Sequence, residues 1–341
     1  MTQITTISEL LTLSNSQYQI YDIGRCVTRL SNRDFRQMEL AQLAMPNPNQ
    51  AHAQLAIVFW QSNEQSVAIL KDTIELTPFI WFAKFPVDER GLINQAAVSH
   101  FIAIIVEALG QDLTKDVIGR QQEILKNNPY SFTPQQYKLA MINSLTKSSL
   151  NQATSTHYEH CQLYMSGKIG WDNWQAVGVQ GLCDIASRIN DNETSLITAL
   201  PNLPVQVLEP LCSALESQQL SEPLISTLVH LARQEFTPSD EAEAKVCIKN
   251  LYLRALASSC QAAQVHSLVS NILASENTLD FDSLLTLSSR CWPVLAEKNI
   301  ALLYLEQLSM QSAEIFMSIF KDLIAIPFLR PTLMACIREP N

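Results

Sequence analysis

No glycine follows Gly181. All eight glycines lie between Gly24 and Gly181, and the 160 residues from Leu182 to Asn341 contain none. Hairpins and tight strand turns lean on glycine for positive φ, so this half is not expected to be β-rich. Glycine-free chain suits helices with short links, since glycine costs ~1 kcal/mol in a helix interior. Charge is scarce too: 16% of residues are Asp, Glu, Lys or Arg, against about a quarter in typical domains. More of this surface than usual is neutral or covered. A basic excess is absent, the net charge being −10. That argues against nucleic acid and anionic membrane as main partners, because both need a positive footprint.

Long apolar runs are missing as well. None approaches the roughly 18 residues of a membrane span. The nearest, Leu323–Ile337, is broken by Pro327, Arg330 and Pro331 and reads as a buried terminal helix pair closing a core. The opening MTQITTISELLTL has no basic n-region and no cleavage pattern, so no secretory signal is expected. None of the eight cysteines forms a C-x-x-C pair, and most sit in apolar helical patterns. Reduced thiols in the cytoplasm are expected. There is no dinucleotide fingerprint, P-loop, H-E-x-x-H, G-x-S-x-G or EF-hand loop, and only six histidines. No metal or cofactor is expected, and the balance tips away from an enzyme.

What is present is a long chain rich in apolar residues. Its 341 residues are 47% hydrophobic, enough for an ordered core and for about two domains. Residues 1–181 carry a net −2 and residues 182–341 a net −8, so the two halves are built differently.

The N-terminal part reads as α+β. Ser8 is placed to cap a short helix to about Leu13. Gln17–Ser31 alternates, with Gly24 marking a bulge or tight hairpin. Asn32 would cap a helix over Arg33–Leu43, followed by the loop MPNPN. Gln54–Gln61 and Thr77–Phe85 are strand-length apolar runs, and Gly91–Leu109 is an amphipathic helix. The expected fold is an antiparallel sheet of three to four strands with helices on one face, over residues 1–112.

Residues 113–132 read as a linker helix and loop, and residues 133–341 as an all-α domain. Helices are expected at Pro134–Ser149, Ser155–Ser166, Trp171–Arg188, Glu193–Leu200, Val205–Ser217, Glu222–Glu235, Ser239–Ser258, Gln261–Ser275, Asp280–Glu297, Asn299–Ser309, Ser312–Ile326 and about Arg330–Arg338. Starts recur at intervals of 12 to 22 residues, with Pro204, Pro223 and Pro238 near three of them. Helix pairs of about 40 residues fit a HEAT-like, irregular solenoid better than a bundle around one core.

Four constellations carry chemistry. His157, His160 and Cys161 would share one helix face, as metal ligands do; the simpler reading is a polar face with one cysteine turned inward. Arg25 and Arg29, then Arg33 and Arg36, could hold an anion, or be solvated and paired with Asp22, Asp34 and Glu39. Lys84, Asp88 and Glu89 mark a strand-to-helix edge, where a carboxylate favoured by the helix dipole is the simpler explanation. The aromatics Trp60, Phe79, Trp81, Phe82 and Phe85 read as core. Trp171 and Trp174 are candidate interface anchors.

The stretches IYDIGR (20–25), HAQLAIVFW (52–60) and WFAKFPVDERGL (81–92) resemble a bacterial family of about this length, a domain of unknown function. The likeness extends over most of the chain. It implies a cytoplasmic bacterial protein, transfers no catalytic or binding residue, and draws attention to Asp22, Gly24, Arg25, Lys84, Asp88 and Glu89. The expected function is an adaptor whose acidic helical-repeat surface binds a protein partner. The alternative is a ligand-binding or enzymatic head with Arg25, Arg29, Lys84 and Asp88 around an anionic ligand. A homodimer through the helical part stays open.

Overall fold

The computed structural model describes residues 4–61, 77–110, 112–114, 119–236, 248–275 and 279–338. The chain divides into two compact units, Met1–Pro134 with Ala325–Pro327, and Gln135–Ile324 with Phe328–Asn341.

In the first unit, helix α1 (Ile7–Leu13) is capped by Thr6, not Ser8. The Thr6 hydroxyl accepts from the Glu9 N–H, and the Glu9 carboxylate accepts from the Thr6 N–H, a capping box. The alternating stretch from Gln17 divides into β1 (Ser16–Asp22) and β2 (Thr28–Leu30), an antiparallel pair with Gly24 in the connection. Ser31, one residue earlier than expected, caps α2 (Asn32–Glu39) through the Asp34 N–H. Then come β3 (His52–Gln61) and β4 (Phe79–Pro86). The four strands form one antiparallel sheet in the order β2-β1-β3-β4. Helix α3 (Gln95–Leu109) is capped by Asn94, whose carboxamide oxygen accepts from Ala97 N–H at 3.0 Å. It starts later than Gly91 because Asp88–Leu92 is taken up by a turn. Helix α4 (Arg120–Lys126) occupies part of the expected linker.

One cluster joins these elements. Ile20, Leu55, Ile57, Phe59 and Phe85 of the sheet pack with Ile7 and Leu11, with Phe35 and Met38, and with Phe101 and Ile105 of α3. Rings continue the contact: Phe59 to Trp81 at 4.4 Å, Phe85 to Phe101 at 5.4 Å. Strand side chains alternate between faces, yet Ala56, Val58 and Trp60 are buried along with Leu55, Ile57 and Phe59. Both faces of β3 are therefore out of water, which explains the unbroken apolar run and corrects the expectation of a sheet covered on one face only. The outer edge of β4 is paired by backbone bonds from Lys84 N to Tyr130 O and from Phe132 N to Phe82 O, so the edge is protected.

The second unit is helical. It holds α5 (Gln136–Ser149), α6 (Tyr158–Met165), α7 (Val179–Ser187), α8 (Ile189–Ala199), α9 (Val205–Leu215), α10 (Glu222–Phe236), α11 (Ile248–Ala255), α12 (Ala263–Leu273), α13 (Phe281–Ser289), α14 (Lys298–Ser309), α15 (Ala313–Ile324) and α16 (Arg330–Arg338). Trp171–Arg188 is not one helix. A 3-10 turn at Trp171–Ala176 is followed by an extended Gly178 at the N-cap of α7. Asp280–Glu297 divides similarly, into α13 and a 3-10 turn at Trp292–Ala296 with Pro293 in its first positions. Pro204 is the N-cap of α9 and Pro223 lies in the first turn of α10, where a missing N–H costs nothing. Pro238 and most of the expected start at Ser239 lie outside the described residues.

Alternate helices pack on each other. One row runs α5, α7, α9, α11, α13, and the other α6, α8, α10, α12, α14, α16, with α6 on α7 and α10 on α11 linking the rows. At the α6–α7 crossing Gly181 is buried, and a Cβ there would lie 2.4 Å from Cys161 Sγ and 2.8 Å from the His157 carbonyl oxygen. Nearby, Asp184 is fully buried. It accepts from Ser144 Oγ at 2.6 Å and from Ser155 N–H at 2.9 Å, tying α7 to α5 and to the segment before α6. The expected buried pair at the C-terminus is half right: Leu323, Leu329 and Leu333 are fully buried, but Phe328 and Ile337 are about half exposed at 47% and 51%.

Candidate functional site

The three stretches that carry the family resemblance meet at one end of the sheet. Ile23 N bonds Gln54 O at 2.8 Å, Val87 N bonds Ala51 O at 2.9 Å, and Met45 N bonds Gly91 O at 2.8 Å. Asp22, the last residue of β1, accepts the Gly24 N–H on Oδ1 at 3.0 Å. The Gly24 carbonyl accepts from Asn49 Nδ2 at 2.9 Å, and Arg25 Nε donates to the Pro48 carbonyl at 3.2 Å. Asp22 and Arg25 are 1% and 3% exposed. A Cβ on Gly24 would sit 3.2 Å from the Asn47 carbonyl oxygen, a close approach that favours glycine.

The facing turn is strained. Asn49 and His52 exchange both backbone bonds at 3.0 Å around Gln50 and Ala51, which have φ of 49° and 58°. A two-residue turn of this kind normally takes Asn-Gly or Gly-Gly. Bonds from the buried Asp22 turn and Arg25 tie the β1–β2 connection to this segment. The knot is internal, so Arg25 is no surface anion receptor.

The other expected residues lie apart. Arg29 is exposed on β2 opposite Tyr21, and Lys84 is exposed on β4 opposite Gln54, at the two far edges of the sheet. Arg33 and Arg36 are exposed on α2. Asp88 closes its own turn: Oδ1 accepts the N–H groups of Arg90 and Leu92, and Oδ2 pairs with the Arg90 guanidinium. The Leu92 N–H bond, first, with help from Arg90, holds its carboxyl below the usual range. Glu89 is exposed beside it. Neither residue caps α3, since Asn94 does.

Trp171 and Trp174 are half-buried in the second unit. Trp171 meets the Tyr164 ring edge-on at 5.5 Å, and the Tyr164 hydroxyl donates to the Trp171 carbonyl at 2.9 Å. Trp171 is thus a packing residue of the α6–α7 connection. His157 is exposed while Cys161 is fully buried against α7, so the two do not share a site. Among the described residues no group of three His, Cys, Asp or Glu is arranged to hold a metal ion. Burial pushes the Cys161 thiol up to about 11 and the Cys183 thiol to about 12, which leaves neither an activated nucleophile.

Two constellations were not legible in the sequence. Glu39, at the end of α2, is buried. It accepts the N–H groups of Ile7 and Ser8 and the Ser8 hydroxyl. Burial pushes its carboxyl up to about 7 against those bonds. Beside it, α1 and α2 enclose a half-open groove of about 510 Å³ lined by Ile4, Glu9, Leu13, Arg36 and Leu40 among others. In the second unit, the carboxylate of Glu216 is fully buried and takes the guanidiniums of both Arg254 and Arg290. The Arg254 guanidinium stacks 4.8 Å from the Tyr137 ring, and Arg290 reaches the Tyr137 hydroxyl at 3.5 Å. These four residues come from α5, the end of α9, α11 and the end of α13. Sequence spacing holds no signal for such a cluster, because its members are up to 153 positions apart.

Comparison with known proteins adds family membership without an activity. No curated protein and no solved structure matches the chain. Among the described residues no helix is long and apolar enough to cross a membrane. A family model described as a protein of unknown function, DUF3549, matches residues 2–341, and the chain belongs to that family.

Proposed function

We propose that this chain is an adaptor: a protein–protein interaction module in which an irregular, HEAT-like helical array presents a surface to a protein partner. The supporting observation is the packing of alternate helices into two rows, the arrangement by which helical repeats build extended binding surfaces. The partner surface is the row α6, α8, α10, α12, α14. Glu159, Asp191, Glu222, Glu235 and Glu306 are exposed along it. The other row is less suited to a basic partner. Tyr137, Arg254 and Arg290 converge there on Glu216, and two cations answer one anion. An acidic row prefers a basic partner patch, and its contribution is greatest in on-rate and salt dependence.

The proposal includes a reducing compartment such as the cytoplasm, because the seven described cysteines are free thiols. The alternative of an anionic-ligand site in the first unit has less support, since Arg29 and Lys84 stand at opposite sheet edges and Arg25 is buried. The test is capture with the full chain, compared with the triple variant Glu222→Lys, Glu235→Lys, Glu306→Lys. A stoichiometric partner retained by the parent, released by salt and lost from the triple variant at unchanged helicity supports the proposal. Equal capture by both chains, insensitive to salt, overturns it.

A further inference from the structure

We propose that α15 is the interface of a two-fold symmetric homodimer, formed by antiparallel packing of α15 against the same helix of a second copy. Helix α15 reads AEIFMSIFKDLI, yet buries only Phe320 and Leu323. By contrast, α14 buries six of its twelve residues. The difference follows from position. Helix α15 packs on α14 and α16 and belongs to neither row, so less of its surface is covered. Its outer face is not uniformly polar. Ala313 and Met317 are exposed and Ile324 is half-exposed, at the four- and seven-residue spacing of one helical stripe, and Met310 and Phe328 are exposed just before and just after the helix.

The charges on that stripe select the occupant. Glu314 and Lys321 are both exposed, and they lie symmetrically about the point between Met317 and Ser318. A two-fold axis through that point brings Glu314 of each copy opposite Lys321 of the other, giving two equivalent ion pairs. It also places the exposed Met317 side chains of the two copies at the centre. A parallel pairing would set Glu314 on Glu314 and Lys321 on Lys321. The stripe is therefore self-complementary in one orientation, which is the requirement of an isologous interface. This dimer is independent of what the acidic row binds.

The experiment is light scattering of the full chain across protein concentration, with charge reversals that leave the fold untouched. The parent is expected to reach a dimer mass. Lys321→Glu or Glu314→Lys alone turns both ion pairs into like-charge contacts and weakens the dimer roughly tenfold or more. The double variant Glu314→Lys with Lys321→Glu regains it. So does an equimolar mixture of the two single variants, because each supplies the charge the other lacks. A parent that stays monomeric into the hundreds of micromolar overturns the proposal. So does a dimer whose affinity ignores both single reversals, or singles that the mixture does not rescue.

Discussion

Gly181→Ala is the substitution with the clearest cost. In an isolated helix it would stabilise, since alanine is favoured over glycine by ~1 kcal/mol. In this protein the new Cβ would meet Cys161 Sγ at 2.4 Å, the His157 carbonyl oxygen at 2.8 Å and His157 Cβ at 3.1 Å. Ordinary carbon contacts lie near about 3.5 to 4.0 Å. Two of the three neighbours belong to the main chain or its first side-chain atom, so no rotamer change clears them. Helix α6 has to retreat from α7 by roughly 1 Å, and a gap of that size forfeits up to about half of each dispersion contact. Overpacking of this kind costs about 1 to 3 kcal/mol, and propensity returns about one of these. A net loss of up to about 2 kcal/mol is expected, read as a lower urea or thermal midpoint.

Two further variants sharpen the assay. Gly178→Ala, three residues earlier, meets only His157 ring atoms at 3.8 and 3.9 Å, so it should lose only what alanine loses to glycine at an N-cap, about 0.5 to 1 kcal/mol. Adding Cys161→Ala to Gly181→Ala removes the Sγ contact and leaves the carbonyl contact, so the combination should regain part of the cost of the close approach. A raised midpoint for Gly181→Ala, or a combination with Cys161→Ala that regains nothing, refutes the close-packed crossing.

Stability should fall as pH rises from 5 to 8. The Glu39 carboxyl stands at about 7 in the folded chain against a reference of 4.5. Folding therefore takes up a proton over that window, and a contribution of up to about 3 kcal/mol, whole below the lower value, is lost through the upper one. Denaturation at both pH values should show a smaller difference in Glu39→Gln, and an equal slope in parent and variant sinks this assignment. Glu216→Ala leaves the Arg254 and Arg290 guanidiniums without their carboxylate in a setting where their side chains are only 18% and 21% exposed. A loss of about 3 kcal/mol is expected from unfolding curves, and a change below about 0.5 kcal/mol would show that the cluster is peripheral. Asp184→Ala strips Ser144 Oγ and Ser155 N–H of their acceptor. The expected cost is about 2 kcal/mol or more, with Asp184→Asn milder because one oxygen remains; a harmless alanine would contradict it.

Local pattern carried much of the fold. The turn at Gly24, the apolar runs that became β3 and β4, and most helices of the second unit were visible as spacing and punctuation. Caps were less visible. Thr6, Ser31 and Asn94 each stand near another plausible capping residue, and only the three-dimensional path of the chain selects among them. The division of Trp171–Arg188 at Gly178 was also obscured, since the apolar pattern continues through the break.

The candidate sites show the sharper limit. Asp22, Arg25 and Asp88 drew attention as charged residues in a recognisable stretch, but the sequence could not say that Asp22 and Arg25 would be buried or that Asp88 would close its own turn. Glu39 was read only as a surface partner for nearby arginines and Glu216 drew no attention, because a glutamate in a helical pattern reads as a solvated face. Composition and period by themselves determined most of the helical segments, where glycine ends, how acidic the second half is, and that the chain begins α+β and continues all-α. Those are properties of neighbours along the chain. Which glutamates lose their water, which arginines from α11 and α13 converge on Glu216, and how closely α6 approaches α7 were decided by tertiary structure, because each depends on groups that meet only when distant helices pack.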